Sequence, residues 1–212
     1  YVSAPKKWQI KIFKILGIAK NTLISSSKNK HIFADEIISL DHPWYKKGYI
    51  QNQVKKIPRW IILVNRKIFL NKAKKVKIMN KIFLDRSSSK FNHCQIYNQK
   101  EVNKWIRKNK IKSYKPEKLP LEKQIYLFNN ASIIIGAHGA AFTNIIFCKP
   151  GTKVIEIIPA DHSNRKCERI SKILKLKYFR IITKPDNTNK NFPYRIHLEK
   201  KHLKMINKAI NL

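Results

Sequence analysis

The stretch Ala131–Ile158, ASIIIGAHGAAFTNIIFCKPGTKVIEII, allows few folds. Ser132–Ala137 is a short apolar run of the kind given by a parallel strand buried on both faces. Gly136-Ala137-His138-Gly139 breaks the run. Ala140–Cys148 then has helical spacing, with Phe142, Ile145 and Ile146 on one side and Thr143 and Asn144 on another. Pro150-Gly151 stops that helix. Lys153–Ile158 reads as a second apolar strand carrying one carboxylate, Glu156. Strand, glycine turn, helix, turn and strand make the repeating unit of a parallel α/β sheet.

A glycine turn that opens a helix leaves backbone N–H groups aimed at one spot, at the positive end of the helix dipole. An anion, most often a phosphate, is stabilised there. Gly139 lets the main chain approach such a ligand without a Cβ in the way. The ligand then sits at the carboxyl end of the first strand, where open α/β sheets bind ligands. Glu156, on the neighbouring strand, is placed to accept both hydroxyls of a ribose. The combination suggests a nucleotide diphosphate site. The spacing is neither G-x-G-x-x-G nor G-x-x-x-x-G-K-[ST], so it supports neither a dinucleotide fold nor a P-loop. Spacing alone weighs a phosphate site evenly against an ordinary strand–turn–helix.

Three blocks carry a resemblance. They are G-A-H-G-A-x-x-T-N (Gly136–Asn144), P-G-T-K-V-I-E-I (Pro150–Ile157), and the upstream IFLDRSSSKF (Ile82–Phe91) followed by Asn98 and Glu101. In order and spacing they resemble the core of glycosyltransferase family 61, closely over Lys81–Ile182 and loosely over Pro5–Leu70. The resemblance implies a GT-B-like architecture and inverting transfer of a sugar from a nucleotide-sugar donor to a glycan hydroxyl. It implies donor contacts at Arg86, Ser87, Gly136, His138, Gly139, Ala140, Thr143, Asn144 and Glu156, with Arg86 and His138 nearest the chemistry. Arg86 suits a diphosphate through bidentate, charge-assisted hydrogen bonds; the plain alternative is a surface arginine paired with Asp85. His138 either bonds a phosphate, acts as base, or assists the leaving group; the plain alternative is a turn histidine capping carbonyls. Ala141 stands where the family usually has glycine, and Asp85 where serine is commoner. No D-x-D occurs, so the expectation is a metal-independent site with no cofactor.

Charge points elsewhere at first. The chain carries +34 over 212 residues, which suggests nucleic acid or an anionic surface. Yet only eight of the 46 basic residues are arginine, and the lysines are spread almost evenly alongside many Ile and Asn. An AT-rich coding bias explains that mix better than a binding face, which clusters charge and interleaves aromatics. A specific nucleic-acid partner is therefore not expected. Cys94, Cys148 and Cys167 are widely spaced without C-x-x-C, which reads as reduced thiols in a cytoplasmic setting. Tyr1 opens without a leader pattern, and the chain reads as a fragment or trimmed domain.

The expected layout is α/β and Rossmann-type, with a parallel sheet flanked by helices on both faces. A partial N-terminal acceptor-side domain spans 1–77, a complete nucleotide-sugar-binding domain 78–198, and a terminal helix 199–212 packs back across the junction. Helices are expected at Tyr1–Leu16, from Pro58 to Asn71 with apolar residues nearly all round, at Asn98–Asn109, Leu119–Asn130, Lys166–Leu174 and Leu198–Ile210. Short strands are expected at Asn21–Ser25, His31–Leu40, Lys81–Asp85 and Lys177–Ile182. Asp35, Glu36, Asp41 and His42 are acceptor-side candidates for the base an inverting transfer needs. The plain alternative makes them solvated loop residues. Lysines on the last helix also suit peripheral contact with an anionic membrane at the inner face. The transferase reading, with a UDP-linked donor and surface-glycan synthesis, stands beside two alternatives: a basic nucleic-acid-binding module, and a nucleotide-binding relative without catalysis.

Overall fold

The structure, a computed structural model, describes residues 5–38, 57–88, 93–162, 165–185 and 194–212. The chain divides into two units, Tyr1–Pro43 and Trp44–Leu212. The expected boundary near 77 lies inside the second unit.

The first unit holds helix α1, Lys7–Ile15, which buries no residue. The helix ends before Gly17, whose φ of 80° suits only glycine at low cost. The strands expected at Asn21–Ser25 and His31–Leu40 do not form in the described part. Lys20–Thr22 is a 3₁₀ turn, and residues 31–38 are irregular. Local side-chain bonds replace a ladder there: Thr22 Oγ1 donates to the Ala19 carbonyl at 2.7 Å, and Asn29 Nδ2 to that of Ser25 at 3.3 Å.

The second unit is a five-stranded, wholly parallel sheet. Its strands are β1 (Lys81–Leu84), β2 (Lys112–Tyr114), β3 (Ile133–Ala137), β4 (Lys153–Pro159) and β5 (Lys177–Thr183). They lie in the order β2-β1-β3-β4-β5. The helices are α2 (Arg59–Leu70), α3 (Gln99–Lys108), α4 (Leu121–Asn130), α5 (Lys166–Ile173) and α6 (Lys200–Asn211). β2 is a short strand that periodicity does not single out. Its three residues, Lys112, Ser113 and Tyr114, pair with Ile82, Phe83 and Leu84.

Alternation along the central strands sorts side chains to two faces. Ile82, Leu84, Ile134 and Val154 pack with Ile62 of α2, Phe128 of α4, Phe142 and Ile145, and Ile170 of α5. Phe83, Ile135, Ile155 and Ile157 pack with Val102 and Ile106 of α3 and Ile206 and Ile210 of α6. Helices on both faces are the expected arrangement. α2 corrects one expectation, since it buries only one side. Ile62 is buried, while Trp60, Leu63, Val64 and Ile68 are exposed. α6 is fastened to the second face by Trp105 Nε1 donating to Asn207 Oδ1 at 3.2 Å and Lys153 Nζ to the Ile210 carbonyl at 2.7 Å.

The segment expected to be an α-helix after the glycine turn, Ala140–Phe147, is a 3₁₀ helix. Three β-branched residues, Thr143, Ile145 and Ile146, disfavour the α-helix, and the tighter winding still seats Phe142, Ile145 and Phe147 in the core.

Gly136 faces Leu84 across the β1/β3 ladder. A Cβ there would stand 2.9 Å from Leu84 Cβ and 3.1 Å from its carbonyl oxygen. Neither atom is the end of a flexible chain. Gly136→Ala is therefore expected to lower stability by about 1–3 kcal/mol, read as a shift of the urea midpoint; an unchanged midpoint would show that the strands part freely.

Candidate active site

The strand order creates the site. From β1 the chain crosses to β2 on one side, and later to β3 on the other, so the crossovers diverge between β1 and β3. In open sheets a ligand crevice forms at that switch point, at the carboxyl ends of the strands. Arg86 leaves the end of β1, and His138 and Gly139 leave the end of β3.

Arg86 and Gly139 meet there. A Cβ on Gly139 would lie 1.6 Å from Arg86 Nη1 and 2.4 Å from its Cζ. Gly139 has φ 170°, extended backbone open to any residue. Glycine is needed for space, and the space belongs to the guanidinium. Arg86 Nη2 donates to the His93 carbonyl at 3.3 Å, while its Nε is buried with no hydrogen-bond partner. Burial holds its pKa below the ordinary arginine value, against the pull of Cys94 and Glu117. The pairing with Asp85 is not observed. Asp85 lies 3.7 Å from Lys115 Nζ and accepts the Ser87 amide at 2.8 Å. It therefore does not compete for Arg86.

The amide donors begin later than expected. Gly136 lies inside β3 and the His138 amide donates to the Ile157 carbonyl at 2.8 Å, so neither serves a ligand. The amides of Gly139, Ala140 and Ala141 make no backbone hydrogen bond among the described residues. They are the donors the turn offers. A cleft of about 120 Å³ is lined by Arg86, Ser87, Gln95, Gln99 and Ala137; Gly139, Ala140 and Ala141 are not among the residues that line it.

His138 and Glu156 form a buried pair, 4% and 1% exposed. His138 Nδ1 and Glu156 Oε1 are 2.6 Å apart. The Tyr178 hydroxyl donates to Glu156 Oε2 at 2.5 Å, and the Cys167 thiol lies nearby. Both oxygens are thus engaged inside the protein, which corrects the ribose-binding role expected of Glu156. Burial pushes the Glu156 pKa up, but the bond and charge of His138, with the bond of Tyr178, outweigh it and hold the net value below the usual range. The imidazole of His162 lies against that of His138, ring centres 4.3 Å apart. Arg180 Nη2 holds the His162 carbonyl at 3.1 Å.

Two expected contacts face elsewhere. Thr143 Oγ1 accepts from Lys166 Nζ at 2.9 Å, and Asn144 Nδ2 donates to Gln124 Oε1 at 2.8 Å. They tie the 3₁₀ segment to α5 and α4 rather than lining the crevice. Ser87 and Ala140 are exposed at its rim. Asp41 and His42 lie outside the described residues. Sequence reasoning missed His93, Cys167 and Tyr178. Only a register would have found Tyr178, which sits two residues before Arg180, the β5 partner of Glu156.

His138, Glu156 and Cys167 are also the described group whose ligand atoms gather within 4.8 Å of one another. A metal needs the thiolate. Burial and the neighbouring Glu156 push the Cys167 thiol well up, and both Glu156 oxygens already accept hydrogen bonds. The set fits a hydrogen-bonded network better than a metal site.

His162 is pushed down to about 4, first by burial, then by the nearby His138 and His93. The unfolded chain, with histidine near 6.5, binds the proton more readily between those values. Stability is expected to fall as pH drops from about 6.5 towards 4. Glu156 adds a loss at lower pH, below about 4.3, as its carboxylate protonates through its depressed folded value. Urea midpoints between about pH 3 and 7.5 check this: His162→Gln should flatten the upper window, and an unchanged slope there would contradict it.

A family model described as Glycosyltransferase 61 matches residues 7–155. A beta-1,2-xylosyltransferase of Arabidopsis thaliana is 37% identical over 60 residues, 28% of this chain and 11% of that protein. The beta-1,2-xylosyltransferase RCN11 of Oryza sativa subsp. japonica is 36% identical over 61 residues, 29% of this chain and 11% of that protein. The matched stretch is thus about a tenth of each relative's length. With the family model covering more than half of the sequence, the chain belongs to glycosyltransferase family 61.

Proposed function

We propose that this chain carries the donor site of an inverting glycosyltransferase that moves a sugar from a nucleoside-diphosphate donor, UDP-linked, to a glycan hydroxyl in surface-glycan synthesis. The xylosyl activity in the names of the two relatives makes a pentose the first donor sugar to test.

The observation that carries this reading is the seat of Arg86. A cation with a buried, unpartnered Nε lies over Gly139, among the described residues without a carboxylate within ion-pair distance. Three unbonded amides stand beside it. As the bond between the sugar C1 and the phosphate oxygen breaks, negative charge gathers on the diphosphate. Fixed donors aimed at that position stabilise it without having to reorganise, which is the largest kind of contribution a site makes. Arg86 and the amides neutralise the diphosphate without a divalent ion, and EDTA is expected to leave donor binding unchanged.

Calorimetric titration with UDP, GDP and ADP tests the proposal. Micromolar binding of UDP is expected, weakened at least about tenfold by Arg86→Ala, the loss of one charge-assisted contact. Gly139→Ala should weaken UDP similarly with little loss of stability, because the added methyl displaces only the flexible end of Arg86. A folded chain that binds no nucleotide, or binds UDP equally well without Arg86, would overturn the reading. Tight binding of RNA or DNA with a steep salt dependence would favour the basic-module alternative.

A further inference from the structure

The cleft at the end of β1 shares one guanidinium with the anion seat, since Arg86 lines the cleft and also lies over Gly139. The rest of its lining is of two kinds. Phe83, Leu84, Ile96 and Ala137 supply apolar surface, and Gln95 and Gln99 supply two neutral amides. A volume of about 120 Å³ equals roughly four waters at about 30 Å³ each, which is room for one six-membered ring.

The wall that carries the amides is fixed. Ile96 and Ile196 form a parallel bridge. The Gln95 carbonyl accepts the Ile196 amide at 2.9 Å, and the Tyr97 amide donates to the Ile196 carbonyl at 3.1 Å. Asn98 closes the clamp: its Nδ2 donates to the Leu198 carbonyl and its Oδ1 accepts the Leu198 amide, each at 3.1 Å. Gln99, at the start of α3, donates from Nε2 to Asn103 Oδ1 at 2.9 Å. That bond orients the amide and leaves Gln99 Oε1 without a partner among the described residues. The side-chain amide of Gln95 likewise makes no hydrogen bond among the described residues. Polar groups held in place and unpaired discriminate between ligands, because the wrong ligand leaves them unpaired.

The lining selects the chemistry of its occupant. A sugar carries hydroxyls all round its ring and would set several of them, unpaired, against Phe83, Leu84 and Ile96. A pyrimidine has two apolar faces and one polar edge, which match apolar walls and two amides. Resting on the proposed donor site, we propose that this cleft holds the uracil of the donor nucleotide and that Gln95 and Gln99 determine the choice of base. Gln99 Oε1 accepts the N3–H of uracil, and the Gln95 amide donates to a flanking carbonyl oxygen. Cytosine presents a lone pair at N3, which would face Gln99 Oε1 with no proton between them. The fused rings of a purine need more room than the cleft has.

Calorimetry with UDP, CDP, GDP and inorganic pyrophosphate tests this on the wild type, Gln95→Ala, Gln99→Ala and Arg86→Ala. The main readout is the ratio of UDP to CDP affinity, which a general loss of folding or of the diphosphate seat does not move. The wild type is expected to favour UDP over CDP and GDP by at least about tenfold, the worth of one hydrogen bond replaced by an unpaired group. Gln99→Ala should weaken UDP about tenfold and leave CDP nearly unchanged, which closes the gap. If that variant does not fold, Gln99→Leu, which keeps the bulk and lacks the acceptor, takes its place. Gln95→Ala should weaken UDP several-fold and leave pyrophosphate unaffected. Arg86→Ala should weaken UDP and CDP alike and keep their ratio. Equal affinity for UDP and CDP in the wild type, or a gap that survives loss of the Gln99 amide, would overturn the base assignment and leave an Arg86-dependent seat intact. So would glutamine variants that weaken UDP-xylose and not UDP, since the sugar would then occupy the cleft. No binding of any nucleotide, or binding indifferent to Arg86→Ala, would instead sink the donor-site reading, and this inference with it.

Discussion

The structure depends on how closely β1 and β3 approach. Two glycines on one strand and turn permit it. A Cβ at Gly136 would press on Leu84 within the ladder, and a Cβ at Gly139 would occupy the place of the Arg86 guanidinium. The first glycine closes the sheet at its switch point. The second lets a cation rest on bare backbone where the sheet opens. Packing and site are thus set by the same two missing side chains, three residues apart, and both collide with the same stretch, Leu84 to Arg86. Crossovers that diverge at β1 and β3 leave a crevice at this position for topological reasons; the glycines determine what it can hold.

Behind the crevice the sheet buries an ionisable chain: Tyr178 to Glu156 to His138, with the His162 ring tilted against the last ring. Such a network costs desolvation and is tolerated only when every member is satisfied. Glu156 satisfies the condition by accepting at both oxygens. The consequence is an imidazole fixed in place beside a cation, in a region where burial first and like charge second lower the pKa values of His93 and His162. The electrostatic character of the site is therefore divided. One wall is a permanent cation, Arg86. The other is an imidazole held by a buried carboxylate.

Much of the fold was legible because parallel strands buried on both faces read as apolar runs between turn signals. Ile133–Ala137, Lys153–Pro159 and Lys177–Thr183 stand within a residue or so of their expected bounds. Arg86, His138 and Gly139 were legible as a group through the three family motifs. β2 was not, since three residues at a sheet edge carry no period. The strands expected before Leu40 failed where Thr and Asn side chains bonded nearby carbonyls. Glu156 was placed on the right strand and given the wrong partner. A carboxylate within an apolar run looks like a ligand contact from sequence, and whether it faces a crevice or a buried histidine is a matter of depth that only the packed sheet decides. Thr143 and Asn144 erred similarly, because a 3₁₀ winding turns them towards α5 and α4.

The central claim is that the anion seat lies between the ends of β1 and β3. A crystal structure of the chain with UDP tests it most directly. The account predicts diphosphate oxygens within about 3 Å of the Arg86 guanidinium and of the amides that follow His138, with the Arg86 Nε no longer unpartnered. A diphosphate bound elsewhere on the sheet, with Arg86 still resting on Gly139 and bonded only to His93, would contradict it.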